Sequence, residues 1–219
     1  MIEAYLMHEQ ERNAQGIPAL PLNPEQTTGL CELLQNPPAG KEEFLMNLFT
    51  ERVSPGVDPA AEVKAGFLAE ILTGSKNSPL IDKKQAVKIL GTMIGGYNVQ
   101  PLIGALSDAA LAEDAATALS GMTYVYDAAG QVIELSKSNA AAKKVVESWA
   151  AAEWFTNKPV LEEIIKVKVF KVEGEINTDD FSPAGDAWSR PDIPLHALAM
   201  GKTRFPGGIE EIAKWRAEG

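Results

Sequence analysis

The fold class is decided by residues 23–74, which read NPEQTTGLCELLQNPPAGKEEFLMNLFTERVSPGVDPAAEVKAGFLAEILTG. Asn23 and Gln26 have the spacing of a capping box, in which two side chains bond the free backbone amides at the start of a helix. Asp58, followed by a proline, repeats such a start, and Gly74 is placed to end that helix. Proline-proline and proline-glycine pairs separate runs in which apolar residues recur at helical spacing. The stretch therefore predicts three short amphipathic helices joined by tight turns.

The same pattern continues on both sides of this stretch. Further helices are predicted at 1–15, from Asp82 to Gly95-Gly96, from Asn98 as N-cap to 106, at 109–120, at 122–136, from Asn139 as N-cap through Phe155, and at 209–217. Before residue 160 this gives about seven to nine short helices, each with an apolar stripe. Such helices suit stacked pairs of the HEAT or armadillo type, although the sequence has no clean fixed-period repeat. The prediction is a mainly α fold of HEAT-like stacked helix pairs.

The hydrophobic period changes near residue 160. Over 165–173 apolar residues alternate with lysines, which predicts a β-strand. The change of period and the Lys158-Pro159 pair place a domain boundary there, with a helical domain at 1–160 and a second domain at 161–219. One strand and one or two helices cannot bury enough surface to fold alone, so the second domain is predicted to be an incomplete α/β segment.

A long irregular loop follows the predicted strand, from 174 to 200, and it holds the candidate binding residue, Arg190. A guanidinium presents a planar fork of donors that suits a carboxylate or phosphate held through two bonds. The structural alternative is that Arg190 pairs with a nearby acid of the loop, namely Asp180, Asp186 or Asp192, as internal structure.

Other polar side chains of the loop are candidates for holding it in place. Neighbouring residues in an extended segment point in opposite directions, so Asp179 and Asp180 do not form an acid–base pair and are expected to fix the loop or orient Arg190. Ser182 and Ser189 are assigned the same loop-positioning role, and hydroxyl side chains commonly bond nearby backbone in this way. His196 is expected to make a structural hydrogen bond.

Composition excludes several classes of function. The formal net charge is -10 and no dense basic block interrupts it, which argues against unaided nucleic-acid binding. Long apolar runs, a secretory signal, a phosphate-binding loop and a dinucleotide fingerprint are all absent, so a cytoplasmic protein is expected. Two histidines and one cysteine cannot assemble a zinc or iron–sulfur ligand set, and Cys31 is expected to be a buried apolar residue. No cofactor is therefore predicted within this chain.

Two runs of the loop carry a resemblance to a known family. The run INTDDFSPAG at 176–185, together with WSRPDIPLHALAM at 188–200, resembles the start of the swivel domain of the aconitase B family. Its core, TDDFSPAG, is similar to the TDHISPAG signature of other aconitases. The resemblance extends upstream through NPPAG at 36–40, PGVD at 55–58 and VKAGFL at 63–68, and it covers essentially the whole chain up to Met200.

The resemblance implies a fold, a site and an activity. It implies a HEAT-like N-terminal domain, a substrate carboxylate bound by Arg190, and the interconversion of citrate and isocitrate through cis-aconitate in the tricarboxylic acid cycle. In the family a 4Fe–4S cluster acts as Lewis acid and is held by three cysteines of a core that this chain lacks, so the chain is predicted to be inactive alone. The implied partners are the remaining swivel and core domains, the tricarboxylate substrate and a second copy in a homodimer. The alternative is a free-standing HEAT-like interaction or dimerisation module.

Overall fold

The secondary structure is helical in the computed structural model, which describes residues 1–122, 124–158, 160–169, 171–187, 196–202, 204–205 and 207–218. Over these residues the chain contains α-helices and one 3₁₀ turn and no β-strand, so the predicted mainly α class is confirmed. The chain divides into two compact units. The larger is Leu22–Val160, and the smaller combines Met1–Pro21 with Leu161–Gly219.

The helices of each unit are short. In the larger unit they are α2 Pro24–Gln35, α3 Glu42–Glu51, α4 Pro59–Thr73, α5 Lys83–Gly91, α6 Val99–Ala105, α7 Ala112–Ser120, α8 Ala129–Leu135 after a 3₁₀ turn at Tyr126–Ala128, α9 Ala140–Ala150 and α10 Glu153–Thr156. In the smaller unit they are α1 Ile2–Ala14, α11 Thr178–Phe181, α12 Ala184–Ala187 and α13 Gly208–Glu218.

Helix starts and stops follow the local chemistry that the sequence predicts. Asn23 and Gln26 form the capping box, with the Asn23 Oδ1 accepting from the Gln26 amide at 2.8 Å and the Gln26 Oε1 accepting from the Asn23 amide at 3.0 Å. The Asp58 Oδ1 accepts from the Ala60 amide at 2.7 Å. Gly74 ends α4 with a φ of +79°, a left-handed conformation that costs glycine little.

Three predictions about helix ends are wrong. The helix predicted from Asn139 through Phe155 is divided into α9 and α10, because Ala152 between them has a left-handed φ of +52°. Helix α5 ends at Gly91, four residues before the predicted Gly95-Gly96 stop. Asn98 precedes α6, but its side chain does not cap that helix. Instead the Asn98 Nδ2 donates to the carbonyls of Leu90 at 2.7 Å and Met93 at 2.8 Å, because the side chain is fully buried against the end of α5.

Packing in the larger unit runs between helices that are close in the chain. Helix α4 packs on α2, α5 and α6, and α7 packs on α5, α6 and α9. Fully buried leucines and one phenylalanine form the interior, which includes Leu30, Leu34, Leu45, Leu48, Phe49, Leu68, Leu90 and Leu102. The unit is therefore built from contacts of short sequence separation.

The strand predicted over 165–173 is absent from the residues described there. Its apolar members Ile165, Val167 and Val169 are exposed. A strand needs a neighbour to pair its backbone amides and carbonyls, and an alternating face needs a core to cover it. The described part of the chain offers neither, so the alternation forms no sheet.

The backbone approaches itself closely at Gly95. A Cβ at this position would lie 1.9 Å from the Gly56 carbonyl oxygen. The Ile94 amide donates to the Pro55 carbonyl at 2.9 Å and holds the two segments together. Only glycine fits this contact.

Gly95→Ala should lower the free energy of unfolding by about 1–3 kcal/mol, because the added methyl group forces the two backbones apart. Urea denaturation of the variant and of the wild-type protein measures this change in the free energy of unfolding. Gly66→Ala is the matched control: a Cβ there meets nothing within 4 Å, and it should stabilise α4 by about 0.5–1 kcal/mol. Equal stability of the two variants would contradict the close approach.

Lys64 is buried in the apolar interior of the larger unit. Its side chain is only 1% exposed, and its Nζ lies 5.1 Å from the centroid of the Phe49 ring. Burial lowers the pKa of Lys64 to about 8 from the ordinary 10.5, with a smaller opposing effect of Glu51. The charged form therefore destabilises the folded state below pH 8, since the unfolded chain holds the proton more tightly.

Lys64→Met should raise the free energy of unfolding at pH 7 by about 1–3 kcal/mol, because it removes a buried charge and keeps the side-chain length. This advantage should shrink by about 1 kcal/mol between pH 7 and 9, as the folded wild-type protein releases the lysine proton and loses its penalty. Denaturation of both proteins at each pH gives the difference. A difference that does not change with pH would show that burial does not lower the pKa of Lys64.

Candidate functional site

The candidate site lies in the smaller unit, on the loop predicted from the sequence. Arg190 and Ser189 fall outside the described residues, so their predicted roles remain predictions. The structure describes the chain on both sides of 188–195, including Asp179, Asp180, Ser182 and His196.

A capping box begins α11 and uses Asp180. The Asp180 amide donates to the Asn177 Oδ1 at 3.0 Å, and the Asn177 amide donates to the Asp180 Oδ2 at 3.0 Å. This reciprocal pair satisfies two amides at the helix start. Asp179 lies in the same turn but is exposed, and its side chain makes no hydrogen bond or ion pair within the described residues. The two neighbouring carboxylates therefore differ: Asp180 fixes the turn and Asp179 faces solvent.

Arg204 contacts the same turn from the far side of the loop. Its Nη2 donates to the Glu175 carbonyl at 2.6 Å, and its Nε lies 3.6 Å from the Asp180 Oδ1. Gly174, with a φ of +86°, makes the turn that presents this carbonyl. The sequence prediction missed Arg204, because the contact spans 29 residues and no local pattern indicates it.

A second contact joins Ser182 and His196. The Ser182 Oγ and the His196 Nε2 are 2.6 Å apart, so they share a hydrogen bond. This gives His196 the structural hydrogen bond that the sequence analysis expected. Ser182 precedes the segment 188–195 and His196 directly follows it. Their hydrogen bond therefore brings the two sides of that segment together.

A third contact is an ion pair with one buried partner. The Asp186 carboxylate is 1% exposed, and its Oδ2 lies 2.5 Å from the Lys202 Nζ. Burial of a carboxylate is costly without a cation, so Lys202 stabilises this end of α12. The sequence analysis offered Asp186 only as an acid for Arg190 and did not identify Lys202.

These three contacts share an arrangement. Each joins a residue before 188–195 with a residue after it: 180 with 204, 182 with 196, and 186 with 202. The backbone adds a bond from the Gly201 amide to the Phe181 carbonyl at 3.3 Å. Polar contacts therefore hold together the two sides of the loop that carries Arg190.

The described residues offer no ligand set for an iron–sulfur cluster. The described residues contain no group of three His, Cys, Asp or Glu side chains placed to hold a metal ion. The single cysteine of the sequence, Cys31, is buried in the larger unit, and burial raises the pKa of its thiol to about 12. A cysteine binds a metal ion as its thiolate, and burial keeps the Cys31 thiol protonated.

Comparisons with known proteins cover both parts of the chain. A family model described as "Aconitate B N-terminal domain" matches residues 4–155, and one described as "Aconitate hydratase 2 N-terminus" matches residues 167–219. No helix within the described ranges is long and apolar enough to cross a membrane.

Several relatives carry the name Aconitate hydratase B. That of Pseudomonas aeruginosa is 60% identical over 97% of this chain and 24% of its own length. That of Escherichia coli strain K12 is 58% identical over 94% of this chain and 24% of its own length. That of Helicobacter pylori is 46% identical over 100% of this chain and 26% of its own length. The chain thus spans about a quarter of the length of these relatives.

Asp180→Ala should speed amide hydrogen exchange in the peptide covering 177–182 and cost about 1 kcal/mol of local stability, because it removes the capping box and the contact with Arg204. Asp179→Ala is the control, because it removes the same charge from a side chain that makes no hydrogen bond or ion pair within the described residues. Hydrogen exchange read by mass spectrometry compares them. Equal exchange in both variants would mean that Asp180 does not hold the turn.

Proposed function

The chain belongs to the aconitase B family, whose N-terminal region it matches, and on that premise we propose that it supplies two parts of an iron–sulfur aconitate hydratase. One part is a helical scaffold and the other is a loop that binds a carboxylate of the tricarboxylate substrate. The complete enzyme would interconvert citrate and isocitrate through cis-aconitate.

The observation that carries the loop's role is the set of contacts across 188–195. A binding arginine gains affinity when its position is fixed before the ligand arrives, because less conformational freedom is lost on binding. The Asp180–Arg204, Ser182–His196 and Asp186–Lys202 contacts restrain both sides of the segment that carries Arg190. We assign the binding of a substrate carboxylate to Arg190. We assign the positioning of its loop to Asp180 and Ser182, and propose Asp179 and Ser189 as further positioning residues.

The helical part is assigned a structural role. Its helices pack on near neighbours in the chain, which supports HEAT-like stacked pairs. The domains that we propose are a HEAT-like domain over 1–160 and the start of a swivel domain over 161–219. The proposed partners of this scaffold are the remaining swivel and core domains and, in a dimer, a second copy.

The chemistry of the cluster would lie elsewhere in the protein. A 4Fe–4S cluster supplies a Lewis acid to this reaction in the family, and one buried cysteine cannot replace the three that hold it. The contribution of this chain is binding and orientation through the Arg190 loop. We therefore expect the 219-residue chain to have no aconitase activity by itself.

The test uses a full-length aconitate hydratase B that carries this region. Arg190→Lys keeps the charge but loses the two-bond geometry, so kcat/KM should fall by the equivalent of about 1–3 kcal/mol. Arg216→Lys, the same exchange at an exposed residue of α13, should leave kcat/KM unchanged. Steady-state kinetics with citrate measure both.

Two outcomes would overturn the proposal. Unchanged kinetics of Arg190→Lys would remove Arg190 from the substrate site. Aconitase activity of the separate 219-residue chain would show that it holds a complete site. Self-association of that chain together with normal kinetics of a full-length Arg190→Lys enzyme would favour the interaction-module alternative.

A further inference from the structure

A cavity of about 680 Å³ lies in the larger unit, where the end of α4 packs against α6. We call it the α4–α6 cavity, and its wall includes Leu72, Thr73, Gln100, Pro101, Asp108 and Leu111. It has about twice the volume of the cavity beside Ile94 and Tyr124, which measures about 330 Å³. Sites for small molecules have volumes of roughly 300 to 1,000 Å³. The α4–α6 cavity is therefore large enough to hold a small ligand.

Most of the wall is apolar. The side chains of Leu72, Pro101 and Leu111 line the cavity, and Gly104 adds a position without a side chain. A Cβ built on Gly104 would meet nothing within 4 Å, so the space beside α6 is open there. Apolar walls of this kind stabilise a ligand by removing its apolar surface from water. The cavity thus suits a ligand with an apolar body.

A fixed carboxylate, that of Asp108, lies in this wall. Its Oδ1 accepts from the Ala110 amide at 2.9 Å. The Asp108 amide donates to the Ala105 carbonyl at 3.1 Å, and the Asp108 carbonyl accepts from the Leu111 amide at 2.9 Å. A group that is already held in place loses less conformational freedom when a ligand binds to it. Asp108 is therefore prepared to receive a polar group of a ligand.

The charge of Asp108 has no counter-ion in the described part of the chain. Among the described residues that line the cavity, Asp108 alone carries a charge. Acids on the neighbouring helices do have cations: Glu70 Oε2 lies 2.8 Å from Lys76 Nζ, and Glu113 Oε1 lies 2.7 Å from Lys144 Nζ. Asp108 makes no such ion pair within the described ranges. Its carboxylate is therefore available to a cation from outside the chain.

The end of α4 adds to the preference for a cation. This helix has 15 residues and ends at Thr73, and both Leu72 and Thr73 line the cavity. The last carbonyls of a helix lack helical amide partners and carry a partial negative charge. The whole chain has a formal net charge of -10, which attracts cations and repels anions. The three contributions have the same sign.

An organic cation fits this site better than a metal ion. Calcium takes about six to eight oxygen ligands, and magnesium requires an octahedral set. The described residues contain no group of three His, Cys, Asp or Glu side chains that could hold a metal ion. An ammonium group needs one carboxylate and a few further acceptors, and its carbon skeleton can cover an apolar wall.

We propose that the α4–α6 cavity binds a small organic ammonium ligand, namely a primary amine with an apolar body. The ammonium group donates to the Asp108 carboxylate, and the body lies against Leu72, Pro101 and Leu111. Gln100 and Ser107 also line the cavity and supply acceptors for the remaining N–H groups. This inference goes beyond the proposed function and does not depend on it.

Three probes that share one apolar body test the choice of charge. Phenethylammonium carries the cation, phenethyl alcohol replaces it with a neutral hydroxyl, and hydrocinnamate replaces it with a carboxylate. Each is titrated into the isotopically labelled 219-residue chain, and NMR shifts of the backbone amides give the Kd. We expect phenethylammonium to bind about tenfold more tightly than the alcohol, the scale of a charge-assisted hydrogen bond at a hydrated carboxylate, and hydrocinnamate not to bind. Amides of Leu72, Gly104 and Asp108 should shift.

A charge variant tests the role of Asp108. Asp108→Asn should weaken phenethylammonium binding about tenfold and leave the alcohol unchanged, because it removes the charge and keeps an oxygen for the Ala110 amide. Asp127→Asn is the matched control: it removes the same charge from an exposed aspartate of the same unit that does not line the cavity. It should leave both affinities unchanged.

A steric variant tests the position of the site. Gly104→Leu places a side chain in the open space of the cavity and should weaken the ammonium and the alcohol alike, by at least about fivefold. Gly130→Leu, in α8, is the control, because a Cβ there also meets nothing within 4 Å and the residue does not line the cavity. Circular dichroism and thermal unfolding check that each variant folds as the wild-type chain does.

Three results would overturn the inference. Equal affinities for the ammonium and the alcohol, or no binding of the ammonium, would show that the cavity does not select a cation. The same Kd in Asp108→Asn and Asp127→Asn would show that the attraction comes from the net charge of the chain. Unchanged binding to Gly104→Leu would place the bound probe elsewhere. None of these results bears on Arg190, so the proposed function stands or falls separately.

Discussion

The larger unit depends on the hydrogen bonds made by the fully buried side-chain amide of Asn98. Its Nδ2 donates to the Leu90 and Met93 carbonyls at and just after the end of α5, and the Leu90 carbonyl also accepts from the Met93 amide. The same Nδ2 lies 3.8 Å from the Met122 sulfur, just after α7. The Oδ1 is buried without a partner in the described structure, so the side chain is committed to its donor role. One side chain thereby holds the chain segment that follows α5.

Residues next to these contacts line two cavities at the surface of the larger unit. The Met122 sulfur lies 3.8 Å from the Asn98 Nδ2, and the same side chain lines both cavities, one beside Ile94 and Tyr124 and the other beside Tyr126 and Trp154. Tight approach of Gly95 to Gly56 places Ile94 at the edge of the first cavity. Met122 and the Gly95 contact therefore belong both to the interior of the unit and to the walls of these cavities or their edge.

The smaller unit is organised by polar contacts. From residue 161 onward, the buried non-polar side chains within the described ranges are those of Pro183 and Ala199, and the alternating run before the loop stays exposed. Arg204, His196 and Lys202 instead hold the loop flanks through side chains.

The sequence by itself determined the helices and the family. Capping residues such as Asn23 and Asp58 act on amides within three residues, and helical spacing of apolar residues is equally local, so both are readable from a single chain. The motif around Arg190 gave the family in the same way, from contiguous residues. Only the tertiary structure decided that Asn98 serves α5 and that Arg204 reaches the Glu175 carbonyl. Such contacts depend on which segments meet in space, and neither residue type nor spacing encodes that.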